Sequence, residues 1–218
     1  MEDRNSTGGP ASTAQQTFLV FGATGGTGQH FVALALREGH RVRAFARTPS
    51  KLTLSSPDLE VSQGSITDVP DLDGLVRGVD AVVAMLGDVT MQRTTRINTA
   101  FVRELVPAMR RQGVARFLYQ AGALSRSPDR PLPPLLRPIR STLPRDYKGQ
   151  HEDNEAVMQY LADSADDVEW MVHRAGIGTR SGSQGVLERS ASSPSVATFE
   201  DCAAYDYRTV MDLSLIHI

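Results

Sequence analysis

The chain is poor in several features on which other protein classes depend. Cys202 is its only cysteine, which excludes an internal disulfide framework and a zinc site built from cysteines alone. Its longest apolar run, residues 81–86, is far shorter than the ~18 residues that a membrane-spanning helix needs. Twenty-three basic residues nearly balance twenty-five acidic ones and leave a net charge of −2. That balance argues against a main role in binding nucleic acid or an anionic membrane.

What is present is the composition of one globular domain. The 218 residues are 40% hydrophobic and 22% charged, which is typical of a soluble protein. The opening Met-Glu-Asp-Arg precedes no apolar core, so we expect no secretory signal and a cytoplasmic location. Residues 1–16 are rich in Ser, Thr, Gly and Gln without periodicity, which predicts a disordered tail. The predicted domain spans residues 17–213.

From residue 17 onward, apolar segments of strand length alternate with helical segments. Predicted strands begin at Thr17, His40, Leu59, Asp80 and Ala115, and a sixth covers Val168 to His173. A last helix is expected after Thr198, whose hydroxyl can cap it. This alternation predicts βαβ units and a parallel sheet. With right-handed crossovers, the expected fold class is α/β: a single Rossmann-like, doubly wound parallel sheet of order 3-2-1-4-5-6 with helices on both faces.

The strongest motif is the glycine-rich turn after the first predicted strand. Glycines 22, 25 and 28 lie in the segment Gly-Ala-Thr-Gly-Gly-Thr-Gly, between an apolar strand and an amphipathic helix. The first glycine permits a tight turn, the middle one lets a diphosphate approach the backbone, and the last lets helix and strand pack closely. Free amides and the helix dipole favour an anion there. The predicted cofactor-binding residues of this turn are Gly22, Thr24, Gly25, Gly26, Thr27 and Gly28.

The end of the second predicted strand bears on which nucleotide binds. Sites that prefer NAD place an acidic residue there, which accepts a hydrogen bond from the ribose 2′-hydroxyl. This chain has Arg47, whose guanidinium cannot accept hydrogen bonds but suits a 2′-phosphate. Lys51, one turn later, would add a second positive charge. We therefore predict NADP(H) as the cofactor; the alternative is that Arg47 is only a solvated surface residue.

These segments resemble a known family. The turn is similar to the T-G-A-T-G-x-x-G loop of atypical and extended short-chain dehydrogenases, and the chain from Thr17 to about Ala204 resembles their NmrA-like, NAD(P)H-binding branch, which includes flavin and biliverdin reductases. Residues 45–52 resemble its V-R-x-P-x-K-L segment, and residues 169–176 its D-W-T-I-V-R-P-G segment. Residues 64–68 resemble G-D-V-T-D, with Ser65 replacing the first aspartate. The resemblance implies that Asp68 lines the nucleotide. Leu86 and Gly87, at the end of the fourth predicted strand, should line it too, because the carboxyl ends of the strands lie at the ligand crevice.

The catalytic pair of classical short-chain dehydrogenases is missing. In those enzymes the tyrosine of Tyr-x-x-x-Lys donates a proton to the substrate carbonyl, but no tyrosine here has a lysine four residues later. The candidate substitutes are Tyr147 and His151, one turn apart on one face of a predicted helix, with Lys148 beside them. His151 could relay a proton because histidine titrates near neutrality. The alternative is a solvated helix start, with Tyr147 packed on the preceding segment.

Two further segments depart from the βαβ pattern. Residues 124–145 hold six prolines, which predicts either a lid or a disordered insertion. Residues 214–218 form an apolar end without a helix stop signal, which predicts an artefactual tail. No Walker A loop, nucleophile elbow, H-E-x-x-H or C-x-x-C motif occurs, so we predict no metal site and no hydrolase or NTPase chemistry.

Three functions remain open at this point. The first is NADPH-dependent reduction of a small conjugated substrate such as a flavin or quinone, which needs only a hydride and a solvent proton. The second is a non-catalytic NADP(H) sensor that regulates a protein partner, as the resemblance to NmrA-like proteins implies. A sugar-nucleotide epimerase has less support, because that function would require the Tyr/Lys pair and a larger C-terminal substrate domain, and this sequence has neither. We expect the reductase, with a small-molecule substrate.

Overall fold

The structure is a computed structural model that describes residues 14–142, 146–179, 182–188 and 196–212. Its strands are β1 (Thr17–Phe21), β2 (Arg41–Ala46), β3 (Leu59–Gln63), β4 (Ala81–Ala84), β5 (Arg116–Gly122), β6 (Glu169–Ala175), β7 (Ile177–Thr179) and β8 (Ala197–Thr198). Its helices are α1 (Gly26–Arg37), α2 (Leu72–Val76), α3 (Val89–Gln92), α4 (Ile97–Gln112), α5 (Leu136–Thr142), α6 (Asp146–Ser164) and α7 (Phe199–Met211). The predicted artefactual tail and residues 1–13 of the predicted N-terminal tail lie outside the described residues.

The main sheet confirms the predicted fold class. Six strands are arranged in the order β3-β2-β1-β4-β5-β6, and every neighbouring pair is parallel. The sequence did not predict the separate two-stranded sheet of β7 and β8. Because β1 lies between β2 and β4, the turns that follow these three strands meet at one edge of the sheet. In doubly wound folds, ligands bind at that carboxyl edge.

The sheet carries a hydrophobic core on each face. Phe18 and Val20 of β1 pack into the core that α1 and α7 cover, whereas Leu19 and Phe21 pack into the core shared with α4 and α6. All four side chains are fully buried. A strand that is buried on both faces must be apolar at every position, which accounts for the uninterrupted apolar run of β1.

Hydrogen bonds between buried polar side chains connect helix α7 to the sheet. Asp206 is fully buried and accepts hydrogen bonds from Gln120 Nε2 (2.9 Å) and His173 Nδ1 (2.6 Å). Burial raises the pKa of Asp206. At the next residue of α7, Tyr207 Oη lies 2.8 Å from Nε2 of the buried His40. These bonds fix the helix whose first residue reaches the glycine-rich turn.

Candidate dinucleotide-binding site

The glycine-rich turn is shaped by contacts that leave no room for side chains. Gly22 has a φ of +82°, and a Cβ atom there would lie 2.2 Å from the carbonyl oxygen of Met85. A Cβ on Gly28 would lie 2.1 Å from the Gly22 oxygen, so this glycine lets α1 start against the turn. The Gly25 amide donates to the same oxygen at 2.9 Å. These contacts agree with the roles that the motif assigns to the outer glycines.

The amino end of α1 has the features of an anion-binding helix terminus. Its N-cap, Gly25, supplies no side-chain hydrogen bond, and its first turn contains no acidic residue. Gly25 and Gly26 are exposed, Thr24 is half-buried, and Thr27 is buried. The exposed backbone at Gly25 and Gly26 can therefore receive a diphosphate, whereas the Thr27 side chain is buried.

Phe199, the first residue of α7, is a neighbour of the turn that the sequence did not indicate. A Cβ atom on Gly26 would lie 2.6 Å from its ring. Thr198 caps α7 as expected, because its hydroxyl accepts a hydrogen bond from the Asp201 amide at 3.0 Å. The cap predicts where α7 begins in the sequence, but not that it begins beside the glycine-rich turn.

Arg47 lies at the end of β2, as predicted, but it has an acidic partner. Its Nη1 is 2.8 Å from Oδ2 of Asp88, a residue that sequence reasoning did not single out. The Arg47 side chain is 60% exposed and that of Asp88 is 20% exposed. Lys51, in a short 3-10 helix, and Asp68, in a turn, are both exposed. Their roles in binding remain predictions.

Leu86 and Gly87 follow β4 at the carboxyl edge of the sheet, where the start of α6 meets them. Leu86 is half-buried and Gly87 is exposed. A Cβ atom on Gly87 would lie 3.0 Å from Nε2 of Gln150, and one on Gly149 would lie 2.0 Å from the Gln92 oxygen. The first turns of α6 therefore pack against the segment after β4, on the same edge as the glycine-rich turn.

The three catalytic candidates lie in these first turns of α6, but in different environments. Tyr147 is 40% exposed, and Lys148 forms an exposed ion pair of 3.7 Å with Glu152. His151 is buried, and neither of its ring nitrogens has a hydrogen-bond partner. Burial and the nearby Arg140 lower the pKa of His151. A lowered pKa keeps the ring in its neutral form at pH 7. The role of His151 as a proton relay stays a prediction.

The sequence also did not predict a buried polar network between α6, the start of α4 and β5. Asp153 is fully buried and accepts hydrogen bonds from the amides of Asn98 (3.0 Å) and Thr99 (2.9 Å) at the start of α4. Tyr119 donates to Asn154 Oδ1 at 2.6 Å and accepts from Asn98 Nδ2 at 2.9 Å. Burial raises the pKa of Tyr119 above its usual range. Both hydrogen bonds place the Tyr119 hydroxyl within this buried network.

Glu155 of α6 anchors the proline-rich segment, which contains α5. Its carboxylate accepts from the Arg126 amide at 2.9 Å, pairs with the Arg126 guanidinium at 3.1 Å, and also pairs with Arg140. Arg140 in turn donates to the Leu124 oxygen at 2.6 Å. Over the described residues 124–142 the chain is held against α6 by these contacts. Whether this segment acts as a lid stays a prediction.

Two features of other protein classes are absent from the described residues. No helix in the described ranges is long and apolar enough to cross a membrane. Among the same residues, no cluster of three or more His, Cys, Asp or Glu side chains is arranged to hold a metal ion.

Sequence comparisons agree with this geometry. Residues 22–198 match the family described as NAD(P)H-binding. Over 112 residues the chain is 37% identical to a 3 beta-hydroxysteroid dehydrogenase/Delta 5→4-isomerase of Mycobacterium tuberculosis, covering 46% of this chain and 30% of that protein. Over 82 residues it is 42% identical to a (4-alkanoyl-5-oxo-2,5-dihydrofuran-3-yl)methyl phosphate reductase of Streptomyces griseus, covering 38% of this chain and 29% of that protein. Each alignment thus spans less than a third of the relative.

The fold recurs in the crystal structure of an oxidoreductase from Lactococcus lactis. That comparison has a TM-score of 0.74 and 14% identity, and it covers 92% of this chain and 87% of the other. Together, the strand order and the glycine-rich turn define a Rossmann-type nucleotide-binding protein. The chain belongs to the family described as NAD(P)H-binding, whose model matches most of its length.

Proposed function

We propose that the chain is an NADPH-dependent reductase of a small conjugated acceptor such as a flavin or quinone. The observation that carries the cofactor choice is the exposed guanidinium of Arg47 at the end of β2. It stands where an acidic residue would favour NAD, and it can donate paired, charge-assisted hydrogen bonds to a 2′-phosphate. The two curated relatives are named as a dehydrogenase and a reductase, which supports hydride transfer as the reaction class.

The proposed arrangement follows the carboxyl edge of the sheet. The exposed backbone at Gly25 and Gly26 would hold the diphosphate, and Arg47 would hold the adenosine half of the cofactor. The nicotinamide half would then extend past Leu86 and Gly87, towards the first turns of α6. When bound, the reduced nicotinamide supplies a hydride, and a flavin or quinone can take its proton from water.

On the acceptor side, we assign Tyr147, Lys148 and His151 roles that fit their environments. The partly exposed Tyr147 hydroxyl can donate a hydrogen bond to an acceptor oxygen, and Lys148 can offer a positive charge near it. The His151 ring is buried and has a lowered pKa, so its proposed role is to position the first turns of α6. None of the three needs to transfer a proton for a conjugated acceptor.

The test of this function is NADPH oxidation, followed by absorbance, with a panel of flavins and quinones under anaerobic conditions. We expect turnover with at least one acceptor and a lower rate with NADH. Tyr147→Phe should reduce the rate with the best acceptor while leaving NADP⁺ binding unchanged. Binding of NADP(H) without turnover on any acceptor would contradict the reductase.

One observation favours the sensor as the second candidate. Polar groups that could serve catalysis are enclosed: both nitrogens of His151 are buried without a partner, and the Tyr119 hydroxyl is buried and paired. A protein that only binds NADP(H) needs no exposed acid. The same acceptor panel separates the two candidates, because a sensor would bind the nucleotide and oxidise none of it.

Replacing Arg47 with alanine should reduce affinity for NADPH much more than affinity for NADH. Charge-assisted hydrogen bonds to one phosphate, discounted for solvent exposure, are worth about 1–2 kcal/mol. This corresponds to a roughly 5- to 30-fold rise in the Kd for NADPH, with NADH changed by less than about twofold. Titration calorimetry with both nucleotides measures the difference.

The matched control is Arg41→Ala. Arg41 is the first residue of β2, at the opposite edge of the sheet, and its exposed ion pair with Asp58 (3.6 Å) involves no site residue. The Arg41→Ala substitution removes one positive charge, as Arg47→Ala does, but from the other end of β2. Equal losses of NADPH affinity in the two variants would mean that Arg47 acts only through net charge.

A further inference from the structure

The ion pair between Arg47 and Asp88 crosses the proposed nucleotide crevice. Arg47 follows β2 and Asp88 follows β4, and these two strands flank β1 in the sheet. All three strands are parallel, so their carboxyl ends lie at one edge. A contact of 2.8 Å between Arg47 Nη1 and Asp88 Oδ2 must therefore pass over the end of β1, where the glycine-rich turn begins.

The two partners of this ion pair differ in how firmly they are held. The Asp88 side chain caps α3 by accepting from the Met91 amide at 3.0 Å, and the Asp88 amide donates to Gln92 Oε1 at 3.0 Å. These bonds hold Asp88 in place. The hydrogen bond from the Met91 amide, and to a lesser extent the contact with Arg47, lowers the pKa of the Asp88 carboxyl, so the group is ionised at neutral pH. Arg47 is largely exposed on a long, flexible stem. Arg47 is thus the partner that can exchange one acceptor for another.

We propose that Asp88 is a specificity-determining residue that competes with the ribose 2′-phosphate for Arg47. The inference rests on the proposed function, because it takes the phosphate of NADPH as the incoming group. Without nucleotide, Arg47 is paired with Asp88 across the crevice. A 2′-phosphate offers Arg47 a stronger acceptor with more charge, and the guanidinium exchanges the carboxylate for it. A ribose 2′-hydroxyl carries no charge and cannot displace the carboxylate.

Two consequences follow for affinity. The Arg47–Asp88 pair must be broken or shared when NADPH binds, and the carboxylate then lies close to the phosphate and repels it. Both effects weaken NADPH binding, and neither acts on NADH. Removing the charge of Asp88 should therefore tighten NADPH binding and increase the preference for NADPH over NADH, and the gain should shrink at high salt because the ion pair is exposed.

The variant that tests this is Asp88→Asn. Asparagine caps helices as well as aspartate does, so α3 should keep its start and thermal unfolding should show an unchanged Tm. By titration calorimetry on the full chain, we expect the Kd for NADP⁺ to fall about fivefold and the Kd for NAD⁺ to change by less than about twofold. Adenosine 2′,5′-bisphosphate should show the same gain as NADP⁺, because it carries the 2′-phosphate without the nicotinamide.

Two further variants show where the gain comes from. In an Arg47→Ala background, Asp88→Asn should increase the affinity for NADP⁺ by less than half as much as it does in the wild-type protein. Only the repulsion between carboxylate and phosphate remains to be removed there. Asp167→Asn removes the same charge from an exposed ion pair with Arg110 and should leave both affinities unchanged. A gain in Asp167→Asn equal to that in Asp88→Asn would assign the effect to net charge and overturn the proposal.

The outcomes separate this inference from the proposed function. If wild-type protein binds neither NADP⁺ nor NAD⁺, the proposed function is overturned and the inference with it. If NADP⁺ binds and Asp88→Asn leaves its affinity unchanged or weaker, only the competition between Asp88 and the phosphate is overturned. If Asp88→Asn instead abolishes NAD⁺ binding alone, Asp88 is an acceptor for the ribose hydroxyl, and the inferred role is wrong.

Discussion

Gly25→Ala should greatly weaken dinucleotide binding and leave the fold intact. Gly25 has φ −76° and ψ 169°, which alanine adopts without strain. Its methyl group would meet only the Gly22 oxygen, at 3.2 Å. The methyl would instead occupy the exposed space beside the first amides of α1, where a diphosphate must approach the backbone. An overpacked contact of this kind costs about 1–3 kcal/mol, which raises the Kd roughly 5- to 150-fold.

Gly25 is the informative position because alanine at the neighbouring glycines would affect folding as well as nucleotide binding. A methyl on Gly28 would lie 2.1 Å from the Gly22 oxygen, and Gly22 combines a similar clash with a positive φ. Alanine at either position should destabilise the turn itself. Gly182→Ala is the matched control: Gly182 is exposed, and a Cβ there would lie 3.8 Å from the Glu200 carboxylate.

Calorimetric titration with NADP⁺, together with thermal unfolding of each variant, decides the matter. We expect Gly25→Ala to keep the wild-type Tm within about 2 °C while its nucleotide affinity falls. Unchanged affinity would show that the diphosphate does not lie against Gly25, and the glycine-rich turn would then have to be explained by packing alone.

The parts of the fold that could be predicted from the sequence depend on short-range patterns. The strand β1 is apolar from Phe18 to Phe21 because both faces are buried there, and that pattern is visible in four consecutive residues. The glycines at 22 and 28 are required by contacts within the turn and with the adjacent strand end. Strand order then follows from the handedness of crossovers, so the whole sheet could be predicted.

The parts of the site that could not be predicted depend on contacts between distant segments. Asp88 and Arg47 are forty-one positions apart in the chain. They meet because β2 and β4 both flank β1 and end at the same edge of the sheet. His151 looked like an ordinary histidine at a polar helix start, but it is buried, and burial lowers its pKa. Asp153, two residues later in the same polar segment, is fully buried as well. Composition around a residue does not show which face of its helix meets the core.

Asp153→Ala is the substitution from which we expect the largest loss of stability. Its carboxylate accepts from the amides of Asn98 and Thr99, from the Thr99 hydroxyl at 2.7 Å and from Gln92 Nε2 at 2.8 Å. It thereby caps α4 from another helix and satisfies amides that would otherwise be unpaired at the helix start. Alanine would leave these donors buried without an acceptor. The expected loss in the free energy of unfolding is about 3–5 kcal/mol.

The control is Asp163→Ala, on the same helix. Asp163 is exposed, and the bonds described for its carboxylate come from the neighbouring Gln159, so its removal should cost less than about 0.5 kcal/mol. Urea unfolding gives both values, and Tm should fall by roughly 10 °C in Asp153→Ala. Because Asp153 ties the start of α4 to α6, the loss should be accompanied by faster amide exchange at the first turn of α4. Equal stability losses in the two variants would mean that the Asp153 carboxylate contributes no more than a solvated one.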